Sequence, residues 1–222
     1  MRARKVKQPA HSIDFSLYGI IDCGWLRGRD VAEVTEAAIA GGVTVVQYRD
    51  KVSSGRTFYA QSLRCREVCA AHRVPFIVND RLDVALAVQA DGVHVGQEDL
   101  PVAAVRRVAG GKLIVGVSAS TVEEAVLAAA EGADYLGVGA VFPTGSKCDA
   151  DMTTLETLRE IRRRVGCPVV AIGGITAGRV AEVMAAGADG VAVISALLDG
   201  DVEANARVLK EAIRRCKEVG AP

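Results

Sequence analysis

Residues 185–193 read AAGADGVAV, and this stretch decides the fold. Alanines end a helix, Gly187 supplies the cap, Asp189 marks a tight turn, and Gly190 to Val193 form a short buried strand. The same pattern returns at 40–46 (AGGVTVV), 89–95 (QADGVHV) and 131–138 (EGADYLGV), with Asp in the turn in three of the four. Working outward, β-branched runs at 17–22, 44–50, 75–79, 92–96, 113–118, 135–141, 169–173 and 190–195 read as eight strands. Helical patterns lie between them, such as Leu155, Leu158, Ile161 and Val165, or Leu209 and Ile213. The four echoes precede the even strands. Recurrence at every second unit is what a closed (βα)8 barrel with alternating layers produces. An open doubly wound sheet also holds eight strands, but its dinucleotide fingerprint is missing. The nearest match, Gly137-x-Gly139-x-x-Phe142, has Phe at the third glycine position. The expectation is an α/β chain forming a single TIM barrel over 17–222, behind a flexible N-terminal extension at 1–16.

Composition narrows the function classes. The chain has 222 residues, half of them apolar, with 27 basic side chains against 27 acidic ones. That length suffices for a real core, and the balance excludes wholesale disorder. Coating nucleic acid through net charge needs a basic surplus that is absent. Only 4% of residues are aromatic, so Val, Ile, Leu and Ala are expected to fill the barrel without aromatic help. Glycine, 23 of 222, exceeds the usual roughly 7%. The six cysteines form no C-x-x-C pair, which points to free thiols in a reducing cytoplasm. No run approaches the roughly 18 apolar residues of a membrane span, and the basic start MRARKVKQPA is followed by no apolar leader segment. The expected partners are small molecules, with neither nucleic acid nor membrane. A homo-oligomer is compatible with all this.

In such a barrel the chemistry sits at the C-terminal strand ends. The second strand ends Gln47-Tyr48-Arg49-Asp50-Lys51, and alternation puts Gln47, Arg49 and Lys51 on one face. An amide, a guanidinium and an ammonium aimed into the mouth call for an anion, phosphate above all. Salt bridges from Arg49 or Lys51 to Asp50 or Asp80 are the structural alternative. The third strand ends in Asn79-Asp80, and Asp99 follows the fourth in GQEDLP. Two carboxylates on neighbouring loops suit a magnesium ion shared with substrate phosphates. Asp99 taken alone, before Leu-Pro, reads as a helix N-cap. His94, inside a strand, reads as a satisfied core histidine. After the fifth strand, Ser120 or Thr121 with Glu123 or Glu124 makes a capping box, leaving Ser118 for the mouth. Thr144, Gly145, Ser146 and Lys147 form a second anion cradle, or else a surface loop. Gly173-Gly174-Ile175-Thr176 and Ile194-Ser195 end the last two strands, where this fold recurrently binds phosphate. The mouth therefore reads as a place for two phosphorylated groups.

At these residues the chain resembles the thiamine-phosphate synthase (thiamine-phosphate pyrophosphorylase) family over about 17–198. The match rests on QYRDK (47–51), VNDR (78–81), ADGVHVGQEDL (90–100), GVSAS (116–120), DYLGVGAVFPTGSK (134–147), AIGGI (171–175) and ADGVAVIS (188–195). The resemblance implies a TIM barrel that joins a hydroxymethylpyrimidine diphosphate to a thiazole phosphate, or its carboxylated form, releasing pyrophosphate. Gln47, Tyr48, Arg49, Asp50, Lys51, Asn79, Ser118 and Lys147 would hold the diphosphate, with Arg49, Lys51, Lys147 and Ser118 the catalytic set. Asp80 and Asp99 would ligate Mg2+, and Thr144, Gly145, Ser146, Gly174, Ile194 and Ser195 would hold the thiazole phosphate. Departures are modest: Ser146 stands where many relatives have Thr, Cys148 where many have Lys. A thiazole tautomerase relative shares the fold but would need a His near position 118. A catalytically silent sensor would not keep so charged a mouth.

Overall fold

The computed structural model describes residues 13–144 and 152–219. In it, β1 (Leu17–Asp22), β2 (Val45–Arg49), β3 (Phe76–Asn79), β4 (Gly92–Val95), β5 (Ile114–Ala119), β6 (Tyr135–Val138), β7 (Val169–Ile172) and β8 (Gly190–Val193) pair in parallel and close into a barrel in chain order. The closing pair sets Leu17 against Val191 and Gly19 against Val193. Around it lie α1 (Cys23–Leu26), α2 (Val31–Ala40), α3 (Gly55–His72), α4 (Leu82–Ala87), α5 (Val102–Ala109), α6 (Val122–Ala130), α7 (Leu155–Arg164), α8 (Val180–Ala185), α9 (Ser195–Leu198) and α10 (Val202–Val219). The helices follow their local signals. Thr121 and Glu124 close a reciprocal capping box on α6. In α7, Thr154 caps the start, Leu158 and Ile161 bury the inner face, and three arginines complement the dipole in the last turn.

The echo in the sequence has a physical cause. The residue before each even strand accepts a hydrogen bond from an N–H in the first two residues of the preceding odd strand. Thr44 Oγ1 takes Leu17 N at 3.1 Å, and the carboxylates of Asp91, Asp134 and Asp189 take Phe76 N, Val115 N and Val169 N at 2.8–2.9 Å. The backbone replies in each case, with the N–H of Thr44, Asp91, Asp134 and Asp189 donating to the carbonyls of Leu17, Phe76, Val115 and Val169. Four two-point latches thus fix strand register at the base of the barrel.

Strand alternation splits the core. One side of each strand packs on the helices, while Tyr18, Ile20, Val45, Ile77, Ile114, Tyr135, Val170 and Ala192 point inward with Phe15 beneath them. The expectation of an interior without aromatics is corrected here. Phe15, Tyr18 and Tyr135 fill the lower barrel, with the Phe15 and Tyr135 ring centroids 4.7 Å apart. Glycine makes the space: a Cβ on Gly116 would lie 2.1 Å from the Tyr135 ring, and one on Gly190 would lie 1.9 Å from the Phe15 carbonyl oxygen. Of the segment 1–16, residues 1–12 lie outside the described part, and Phe15 and Ser16 are buried under the barrel. Two strands stop at least two residues earlier than the sequence suggests. Strand β6 ends at Val138 rather than 141, and Gly139 after it approaches the Ile172 carbonyl so closely that a Cβ there would collide. Strand β8 ends at Val193 because Ile194 leaves the extended region to open α9.

Removing a latch acceptor strands a buried N–H, so Asp91→Ala is expected to destabilise the fold by about 1–3 kcal/mol. Asp91→Asn keeps an oxygen acceptor and should cost less than about 1 kcal/mol. Urea denaturation measures both, and equal losses would contradict the latch.

Candidate active site

The C-terminal strand ends open into a cavity of about 630 Å³, within the usual range for small-molecule sites. Arg49, Lys51, Asn79, Asp80, Asp99, Ser118, Thr144, Gly174, Ile194 and Ser195 all line it. Sequence reasoning expected each of these. Gln47 faces inward too, but deeper, where its amide donates to the Tyr18 hydroxyl at 2.8 Å. Tyr48 and Asp50 sit on the opposite parity, among the helices. The Tyr48 ring packs edge-on against Phe58, and its hydroxyl donates to Asp50. Asp50 also accepts from Val52 N and Ser53 N, folding the loop after β2. Burial would raise the Asp50 carboxyl, but these donors hold it below the ordinary aspartate range. Gly145, Ser146 and Lys147 lie outside the described residues.

The two cations of β2 are held differently. Arg49 pairs with Asp22, and the two side chains are only 16% and 9% exposed. Asp22 is itself pinned by accepting from Gly24 N at the start of α1. This carboxylate is a site residue that the motifs did not flag. It ends the first strand, where the strand-end rule applies, but carries no pattern of its own. Lys51 pairs with Asp80 and remains 53% exposed. An ion pair that exposed is worth about 0–1 kcal/mol, so an incoming anion can displace it cheaply. The structural alternative of salt-bridged strand ends is therefore half realised, through Lys51 and Asp80.

Asp80 adopts a left-handed backbone (φ 59°), unusual for a residue with a side chain. Burial pushes its carboxyl above the ordinary range, the Lys51 ammonium pulls it back, and the Asp99 carboxylate within hydrogen-bonding reach pushes it up again. Asp99 caps no helix. Its Oδ2 accepts from Gly96 N at 2.7 Å, and Pro101 precedes α5 instead. Two hard-oxygen donors converge here, while the described residues contain no cluster of three or more His, Cys, Asp or Glu side chains fit for a metal.

Across the mouth, the loop after β6 and the end of β7 are sewn together. Val141 N donates to the Ile172 carbonyl and Phe142 N to the Gly173 carbonyl. Gly173 and Gly174 have φ of 101° and 59°, and a Cβ on either would strike Ala140 or Pro143. The Arg179 guanidinium covers the Phe142 ring at 4.6 Å and donates to the Gly174 carbonyl. This side presents main chain and a hydroxyl to a ligand, whereas the β2–β3 side presents charge. His94 is the satisfied core histidine expected, bonded to Ser118 Oγ and to the Tyr135 hydroxyl. Gln97, not anticipated, donates to the Ser118 carbonyl at 2.6 Å.

The sequence profile of a family described as thiamine monophosphate synthase matches residues 17–197. The chain is 50% identical over 210 residues to the thiamine-phosphate synthase of Caldanaerobacter subterraneus, covering 94% of this chain and 98% of that one. It is 52% identical over 211 residues to that of Chloroflexus aurantiacus, covering 94% and 97%. Among solved structures, a thiamine phosphate pyrophosphorylase from Pyrococcus furiosus superposes with a TM-score of 0.85 at 40% identity, covering 91% of this chain and 97% of that one.

With its pKa raised, ionised Asp80 costs native stability. The cost is absent below the ordinary aspartate range and builds as pH rises through the raised value. Asp99→Asn removes a like charge and should lower the Asp80 midpoint in a carboxyl 13C NMR titration. An unmoved midpoint would show that the two carboxylates do not interact.

Proposed function

The chain belongs to the thiamine monophosphate synthase family and is a transferase of thiamine biosynthesis, and from that premise we propose the reaction its mouth performs. It condenses 4-amino-2-methyl-5-hydroxymethylpyrimidine diphosphate with 4-methyl-5-(2-phosphoethyl)thiazole to thiamine phosphate and pyrophosphate, or with the carboxylated thiazole to the same products plus CO2. The observation that carries this reading is the division of one cavity into a charged half and a main-chain half. A diphosphate suits the first and a monophosphate the second.

On the charged side, Arg49 and Lys51 face the diphosphate, joined by Asn79, Ser118 and, from the loop beyond Thr144, Lys147. Breaking the C–O bond leaves negative charge on the departing pyrophosphate, which cations already in place at the strand ends stabilise. Asp22 aims Arg49 and is not itself a ligand. Gln47, at the inner end of the same strand face, meets the pyrimidine from below, while Tyr48 and Asp50 shape the loop that carries Lys51. On the other side, Thr144, Gly145, Ser146, Gly174, Ile194 and Ser195 hold the thiazole phosphate. The electron-rich aminopyrimidine supports a cationic methylene as pyrophosphate leaves, and the thiazole nitrogen supplies the electron pair for the new C–N bond. Among the described residues no Ser/His/Asp or Cys/His set is required or built.

Asp80 and Asp99 fit Mg2+. They are adjacent, hard-oxygen donors whose mutual repulsion a divalent cation relieves, and Mg2+ commonly binds one or two carboxylates plus substrate phosphates. Bound there, the ion would supply Lewis-acid charge against the diphosphate oxygens. The free cysteines of the described residues suit a reducing cytoplasm, and among those residues no helix is long and apolar enough to cross a membrane.

Mixing both substrates with Mg2+ should yield thiamine phosphate and pyrophosphate, followed by chromatography and a pyrophosphate assay. No product would overturn the reading. Excess chelator, or Asp80→Ala, should abolish coupling while thiazole phosphate still binds; robust turnover in chelator would sink the metal assignment. Arg49→Ala should weaken the diphosphate substrate by roughly tenfold or more and leave thiazole phosphate nearly untouched. Equal weakening of both would contradict the division of the mouth.

A further inference from the structure

Beneath the charged half of the mouth, four buried side chains form one continuous hydrogen-bonded chain that ends on Ser118. Gln47 Nε2 donates to the Tyr18 hydroxyl at 2.8 Å. The Tyr18 and Tyr135 hydroxyls are 2.7 Å apart. The Tyr135 hydroxyl is 3.0 Å from His94 Nδ1, and His94 Nε2 is 2.9 Å from Ser118 Oγ. The chain is built into the fold. Its members come from β1, β2, β4, β5 and β6, and Gly116 and Gly137 leave the room that Tyr135 and His94 occupy.

Proton counting gives this chain a direction. An amide nitrogen only donates, so Tyr18 accepts from Gln47; a buried hydroxyl proton needs an acceptor, and the Tyr135 oxygen is the one that the geometry offers to Tyr18. Tyr135 then has its own proton for His94 Nδ1. A histidine that accepts at Nδ1 carries its proton at Nε2, and Nε2 donates to Ser118. Ser118 accepts from below and keeps its hydroxyl proton for the cavity it lines. Burial pushes both tyrosine hydroxyls above the ordinary phenol range, so each keeps the one proton this count assumes.

We propose that Tyr18, Tyr135 and His94 are positioning residues that lock His94 as its neutral Nε2–H tautomer and present Ser118 as a hydrogen-bond donor to the anionic leaving group. The proposal deepens the reaction reading above and rests on it for the identity of the anion. Reversing the chain would make Ser118 donate to His94 and turn its lone pairs on the diphosphate, which is repulsive. The remote amide therefore decides whether the serine helps or hinders departure.

The tautomer is read by 15N NMR of imidazole-labelled, ligand-free protein, with His94 assigned through the signals lost in His94→Gln. The expected result is a bare Nδ1 and a protonated Nε2 at neutral pH. A proton on Nδ1 overturns the proposal. Tyr135→Phe should scatter the tautomer and lower kcat roughly tenfold with little change in KM, the effect of misaiming one hydrogen bond to a charged group. In a Ser118→Ala background the same change should cost nothing further. An equal, additive loss in that background means that Tyr135 acts only on the fold, and overturns the positioning role. Since the tautomer needs no substrate, it decides the chain whether or not the coupling reaction holds. Turnover by the unaltered protein from the same preparation decides the latter.

Discussion

The rest of the molecule depends on the four latches at the base of the barrel. In a parallel sheet a slip of one residue turns every inward side chain outward. Here Thr44, Asp91, Asp134 and Asp189 tie each even strand to its odd neighbour by one side-chain and one backbone bond. With register fixed below, parity fixes what stands above. Arg49 and Ser118 enter the mouth, while Tyr48, one residue from Arg49, is turned onto Phe58. The charged site is thus a consequence of bonds made at the far end of the strands.

The interior between base and mouth is graded. Phe15, Tyr18 and Tyr135 fill the bottom with aromatic bulk, a polar chain crosses the middle, and ionic groups stand at the top. Each layer makes the next affordable. The rings displace water, the hydroxyls they carry find partners, and those partners orient groups that meet a ligand. A buried polar network of this kind holds one arrangement only when its donors and acceptors are matched, as they are along this run.

Much of this is legible in the sequence. The eight strands, their closure and most cavity-lining residues follow from the repeated AxGADG-type turns and the rule that chemistry sits at strand ends. What the sequence hides has physical reasons. Asp22 has no motif because its role is to meet Arg49 across a strand pair, a contact set by register. The aromatic floor is invisible because it needs Gly116 to face Tyr135, a pairing between strands rather than a local pattern. Tyr48 and Asp50 sit within a motif that reads as one binding unit, yet alternation divides it, so that only part reaches the cavity. The direction of the hydrogen-bonded chain likewise emerges only when residues from five strands are set side by side.

The formal charge of zero conceals the arrangement that matters. At the mouth, Arg49 and Lys51 stand against Asp22, Asp80 and Asp99, and the opposite rim offers backbone and hydroxyl donors. On the reading proposed above, these two halves hold two anions at once. Calorimetric titration of thiazole phosphate into protein already saturated with magnesium pyrophosphate tests it most directly. Thiazole phosphate is expected to bind as a full equivalent at undiminished affinity. Competition between the two would contradict it.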